Sequence, residues 1–174
     1  MRKSVYFLFC LVLLSCSSGI NHEEARGMFL FQDIKYGDDV KELVDKGKLV
    51  YQDNEYSVNT VFNGFDFIND KTNSLYVKSS GGEITGINMS IYEPLDSFTN
   101  DSLPRLFVLT SDLITKINNE LGEKSETSDK VGSYQTKKSI YTWKKNGLIY
   151  TLSTELIGGY DARVFLSYQV SETK

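Results

Sequence analysis

Residues 139–154 read SIYTWKKNGLIYTLST. Asn146-Gly147 lies between two runs rich in aromatic and β-branched residues, and this dipeptide is the strongest local signal for a two-residue hairpin. Both central residues of a type I′ turn need positive φ, which Asn and Gly accept at little cost. Counting outward from a loop at 146–147, Lys145 faces Leu148, Trp143 faces Tyr150 and Tyr141 faces Leu152. Tyr141, Trp143 and Tyr150 therefore share one face of an antiparallel pair. A further strand is predicted over 162–170, where Val164, Leu166 and Tyr168 alternate with Arg163, Phe165 and Ser167. Strict period two over this stretch makes antiparallel sheet the framework of the fold.

Upstream of the hairpin the period changes. Leu103, Leu106, Phe107, Leu113, Ile114, Ile117 and Leu121 recur at steps of three and four up to Gly122, which predicts a helix of about five turns with one apolar stripe. Ser102 can cap it, and Pro104 is tolerated in a first turn whose amides lack partners. Residues 123–136 read as a polar loop, and 93–102, with Pro94, Asp96, Asn100 and Asp101, as a break.

Between Leu49 and Tyr92 the period is again two. Val58, Thr60 and Phe62, continuing through Phe65 and Phe67 after a bulge at Gly64, predict one strand. Leu75 and Val77 predict a second, and Ile87, Met89 and Ile91 a third, across a turn at 79–82; a fourth is expected near 48–52. Gly37-Asp38-Asp39 before Val40 and Leu43-Val44 predicts a short helix that Gly47 ends. The expected fold is α+β: two successive units of one helix followed by a three- or four-stranded antiparallel sheet. Two such units can join as one continuous sheet with the helices on one face. The possible half-units are 28–93 and 102–170 within a domain spanning 28–174.

The first residues follow different rules. Arg2 and Lys3 precede an apolar segment, Val5–Leu14, of about ten residues, which suits a signal peptide and is short of the roughly 20 needed to cross a bilayer. Leu13-Leu14-Ser15-Cys16 closes it. This stretch resembles the lipobox of bacterial lipoproteins, Leu-x-(Ser/Ala/Gly)-Cys. The resemblance implies cleavage after Ser15, so that 1–15 is a signal peptide. It also implies a diacylglyceryl group on the Cys16 thiol, commonly with a further acyl chain such as palmitate on the new amino terminus. Two or three chains anchor a protein durably where one does not. Ser17 stands where such proteins carry Asp when they stay at the inner membrane, which implies the outer membrane. His22-Glu23-Glu24 is faintly similar to acidic tags for the cell surface, so the periplasmic face and the surface both remain open. Residues 16–27 read as a lipid-anchored tether.

Removing 1–15 leaves 159 of 174 residues and takes the net charge from −4 to −6. Such a chain gains nothing from a phosphate backbone, and no nucleic-acid partner is expected. Cys10 leaves with the signal peptide and Cys16 is acylated, so no thiol remains for catalysis, disulfide or metal. His22 is the sole histidine and lies in the tether, where nothing would lock an imidazole beside a nucleophile. No catalytic residue, metal or cofactor is assigned. The oxygen-rich stretches at 53–55 and 69–73 lack the EF-hand pattern and read as turns.

The order of elements over 28–170 resembles the tandem helix-on-sheet lipoproteins of the beta-lactamase-inhibitor-protein type. It departs from them in lacking paired cysteines and a second short helix per unit. That resemblance implies a protein-binding module presenting a broad sheet surface, not an enzyme. The expected role is a non-enzymatic, lipid-anchored cell-envelope protein that meets the membrane through Cys16 and binds an envelope protein. The alternatives are capture of a carbohydrate or small ligand, which needs an aromatic-lined pocket with convergent polar groups, and a hydrolase using two facing carboxylates. Tyr141, Trp143 and Tyr150 are the candidate contact residues. They pack beneath the long helix or line the open face, and alternation alone does not choose between these.

Overall fold

A computed structural model describes residues 21–52, 55–59, 74–94, 102–122, 126–131, 137–157 and 163–173. The fold is α+β. In chain order its elements are α1 (His22–Ala25), β1 (Phe29–Phe31), β2 (Ile34–Lys35), α2 (Val40–Asp45), β3 (Leu49–Gln52), β4 (Glu55–Val58), β5 (Ser74–Ser80), β6 (Glu83–Pro94), α3 (Ser102–Leu121), β7 (Glu126–Val131), β8 (Lys137–Lys145), β9 (Leu148–Ile157) and β10 (Arg163–Glu172). β1 and β2 form a small hairpin. The other eight strands make one antiparallel sheet in the order β3-β4-β5-β6-β10-β9-β8-β7. Each of α2 and α3 is thus followed by four strands, and the last strands of the two runs, β6 and β10, lie side by side at the centre.

Local chemistry accounts for the joints. Asn146 and Gly147 have φ of 48° and 78°, and the β8–β9 register pairs Lys145 with Leu148, Trp143 with Tyr150 and Tyr141 with Leu152, as the turn type dictates. Gly81 and Gly82 do the same between β5 and β6 with φ of 62° and 88°. Asp39 caps α2, its Oδ1 accepting from Glu42 N at 2.8 Å, and Gly47 at φ 69° follows the helix end.

One face of the sheet is covered. Val164, Leu166, Tyr168 and Val170 of β10 point there with Ile87, Met89 and Ile91 of β6 and Tyr150 and Leu152 of β9, all buried in one cluster with Val40 and Leu43 of α2 and Leu106, Leu109, Leu113, Ile117 and Leu121 of α3. Polar bonds fix the layers onto that face. Trp143 Nε1 donates to Asn118 Oδ1 of α3 at 2.8 Å, and Lys145 Nζ donates to Leu121 O at 2.9 Å. Tyr150 Oη donates to Phe29 O at 2.7 Å, and Tyr168 Oη donates to Leu30 O at 2.5 Å, which docks β1 beside α3.

Three expectations change. Residues 126–131, read as loop, form β7, an edge strand paired with β8; its sequence ETSDKV carries none of the apolar alternation that marks a half-buried strand, and charged residues suit an edge. Phe107, placed in the apolar stripe of α3, is 58% exposed, and Leu109 takes the buried position. Residues 21–27, read as tether, are part of the fold. Ala25 is fully buried, Asn146 Nδ2 donates to Glu24 O at 3.0 Å, and both carboxylate oxygens of Glu83 accept from Arg26 at 2.7 Å. The strand expected through Thr60, Phe62, Phe65 and Phe67 and the turn at 69–73 lie outside the described residues, as does Cys16.

Candidate functional site

The candidate contact residues are core. Trp143 is 1% exposed and Tyr150 is fully buried, each spending its polar tip on an internal partner. Tyr141 is half-buried and stacks on Trp143 with ring centroids 6.4 Å apart. Of the two placements open from sequence, packing beneath the long helix is the one observed, and these three side chains are not exposed anchors. Burial pushes the Tyr150 phenol up, with Glu120 adding to the shift, and burial likewise pushes the Tyr168 phenol well up.

Docking β1 beside α3 leaves a cleft of about 430 Å³ between them. Phe29, Phe31, Leu109 and Leu113, all buried, supply its apolar lining. Gln32, Asp112, Thr115, Lys116 and Asn119 bring polar groups to its rim. Lys116 Nζ lies 5.7 Å from the Phe29 ring centroid and 3.2 Å from Glu120 Oε1. Gln32 begins the two-residue turn between Phe31 and Ile34 with φ of 51°, a left-handed conformation in which a residue with Cβ is strained. Its Oε1 is buried with no hydrogen-bond partner among the described residues. Sequence reasoning missed this cleft because β1 and α3 are some 80 positions apart and β1 is held in place by hydroxyls of two strands still further along the chain, Tyr150 and Tyr168.

A second cluster joins the ends of the fold. His22 Nδ1 lies 2.5 Å from Tyr36 Oη, which donates to Glu172 Oε1 at 2.7 Å. The imidazole therefore donates to the phenol. His22 is held in place, contrary to its expected position in a mobile tether. Its partner offers no nucleophile: burial first, then the hydrogen bond to Glu172, keeps the Tyr36 phenol protonated well above its ordinary range.

The opposite face of the sheet carries polar rows in register. Ser74, Ser90, Ser167 and Ser153 align across β5, β6, β10 and β9, and Tyr76, Asn88, Gln169, Thr151 and Thr142 align across β5 to β8. Asn88 and Gln169 are exposed at its centre. Phe165 pairs with Tyr92, whose ring lies 5.4 Å from the Arg163 guanidinium carbon, and Lys138 meets Glu155 at 3.2 Å toward one side. The serine and amide rows carry no charge themselves, and exposed Lys78, in register with Gly86 of β6, and Lys144 of β8 stand beside them. Every bond from α3 and β1 named above lands on the other side.

Among the described residues, no group of three or more His, Cys, Asp or Glu could hold a metal, and no helix is long and apolar enough to cross a membrane. Comparison of the chain with protein-family models, curated proteins and solved structures gave no match.

Proposed function

We propose that this chain is a bacterial lipoprotein, cleaved after Ser15, acylated at Cys16 and held at the outer membrane, that works by binding an envelope protein without chemistry of its own. The observation that carries this reading is the second face of the eight-stranded sheet, with its uncharged serine and amide rows and the ring pair Tyr92–Phe165. Flat hydrogen-bonding surfaces with aromatic members suit a protein partner, and uncharged serine and amide rows spare a chain of net charge −4, or −6 after cleavage, from like-charge repulsion at that part of the contact. The partner's matching surface is uncharged and rich in hydrogen-bonding groups.

The test places a photo-crosslinkable residue at Asn88 or Gln169 in the full chain in its native host. One discrete protein adduct, absent when the reporter sits at Phe107 and lost when Ser90→Arg or Ser167→Arg is added, supports the reading. Adducts that are absent, diffuse or indifferent to the arginines overturn it. Intact mass of the purified protein tests the anchor: an unmodified Cys16 or a retained leader refutes it.

A second reading, capture of a small ligand, is favoured by a specific observation. The cleft between β1 and α3 is aromatic-lined with convergent polar groups, as such sites require.

A further inference from the structure

The ligand-capture reading can be taken further at the cleft between β1 and α3. Asp112 and Lys116 stand one turn apart on the wall that α3 contributes, a spacing at which side chains are neighbours. An acid four residues before a lysine is the favoured order for an ion pair along a helix. Yet Lys116 turns the other way. Its ammonium lies over the Phe29 ring and pairs with Glu120 at 3.2 Å, while Asp112 has no ion-pair partner among the described residues. A single free carboxylate and a single ammonium therefore border one apolar basin made by Phe29, Phe31, Leu109 and Leu113. Opposite them, Gln32 combines a left-handed backbone with an orphaned side-chain acceptor. Both features cost the fold stability and concentrate where binding groups are held in place.

We propose that this cleft binds a zwitterion of the amino-acid type, a free amino acid or short peptide with apolar side chains. Asp112 receives its ammonium, Lys116 its carboxylate, and the basin its side chain. A purely anionic ligand would face Asp112 and a purely cationic one Lys116. A sugar would use neither charge, and the Phe29 ring on which it would stack is already taken by Lys116. The ligand's carboxylate replaces Glu120, an exposed partner whose loss costs little. A peptide N–H supplies the donor that Gln32 Oε1 lacks, reached by rotation of the Gln32 side chain. The cleft of about 430 Å³ lies within the ~300–1,000 Å³ of small-molecule sites.

The proposal rests on the ligand-capture reading and stands apart from the sheet-face one, whose reporters lie on the other side of the sheet. Calorimetric titration of the full chain with leucine, phenylalanine and tri-leucine, up to about 10 mM, tests it against the same compounds N-acetylated or C-amidated. The expected result is saturable one-to-one binding of the free forms. Blocking either end weakens it about tenfold or more, the weight of one charge-assisted hydrogen bond. Asp112→Asn and Lys116→Gln, both at exposed positions, each weaken the free ligand by a similar factor with the thermal midpoint unchanged. Asp112→Asn also erases the penalty for N-acetylation, and Lys116→Gln the penalty for amidation. No saturable binding of any free form, equal binding of blocked forms, or variants that bind as well as the parent would overturn the assignment. None of those outcomes touches the crosslinking result.

Discussion

Replacing Tyr168 by Phe removes one oxygen atom from the middle of the molecule and leaves Leu30 O, which accepted its proton at 2.5 Å, without that donor. Tyr150→Phe does the same to Phe29 O. An orphaned buried acceptor costs about 1–3 kcal/mol, so each single variant should lose that much in urea unfolding at pH 7. The two carbonyls belong to adjacent residues of β1. Once one hydroxyl is gone, the strand can shift, and the double variant should depart from additivity by about 0.5 kcal/mol or more. Alkaline unfolding supplies an independent arm. Both phenols have folded pKa values raised by burial above the unfolded value of about 10. The unfolded chain therefore loses these protons first as pH rises. Stability from the two groups is intact below about pH 10 and falls above it, approaching about 1.4 kcal/mol per pH unit for each. The double variant should show a shallower fall over pH 10 to 11.5. If the double variant loses less than about 0.5 kcal/mol at pH 7 and keeps the parent's alkaline slope, β1 is not held to the sheet by these hydroxyls, and the cleft beside it loses its physical basis.

Three further outcomes follow from packing and capping. Leu109→Ala should destabilise by about 2–5 kcal/mol while Phe107→Ala stays within about 0.5 kcal/mol, because Leu109 is buried and Phe107 is exposed; a reversed order in chemical denaturation would show that α3 is rotated on the sheet. Gly86→Ala places a Cβ 2.6 Å from Val170 O in the adjacent strand, and the β6–β10 contact must open at a cost of about 1–3 kcal/mol, read as a drop in thermal midpoint. Asp39→Ala removes the cap of α2 and should cost about 0.5–2 kcal/mol; a neutral result would mean that packing of Val40 and Leu43 alone holds that helix.

The sheet was legible wherever one face of a strand is apolar. Asn146-Gly147 alone fixed the β8–β9 register, and the alternation of Val164, Leu166 and Tyr168 fixed which side of β10 is inside. β7 was illegible for the converse reason. An edge strand whose sequence is ETSDKV is defined by its hydrogen bonds to β8, and a ladder leaves no mark on composition. Phe107 misled because a helical stripe has soft margins: 107 lies about 100° around the helix from 106, and apolar character does not say where the stripe ends. The segment 21–27 hid its role in the same way. Ser, Gly, Asn and Glu suit a linker, but His22, Glu24 and Arg26 find partners at Tyr36, Asn146 and Glu83, between 14 and 122 positions away. Such long-range pairings also build the cleft, which explains why the three rings chosen from alternation were core while Asp112, Lys116 and Gln32 passed without notice.

That α1 is folded in has a mechanical consequence. If Cys16 carries acyl chains as proposed, only residues 17–20 separate it from Asn21, which caps α1, and the described fold would begin within ~18 Å of extended chain from the lipid. Under that proposal the Asn146–Gly147 turn and the end of β10 at Glu172, both tied to α1, would be the parts of the fold nearest the membrane. Phe107 stands about 21 Å along α3 from the end at Leu121 that Lys145 bonds.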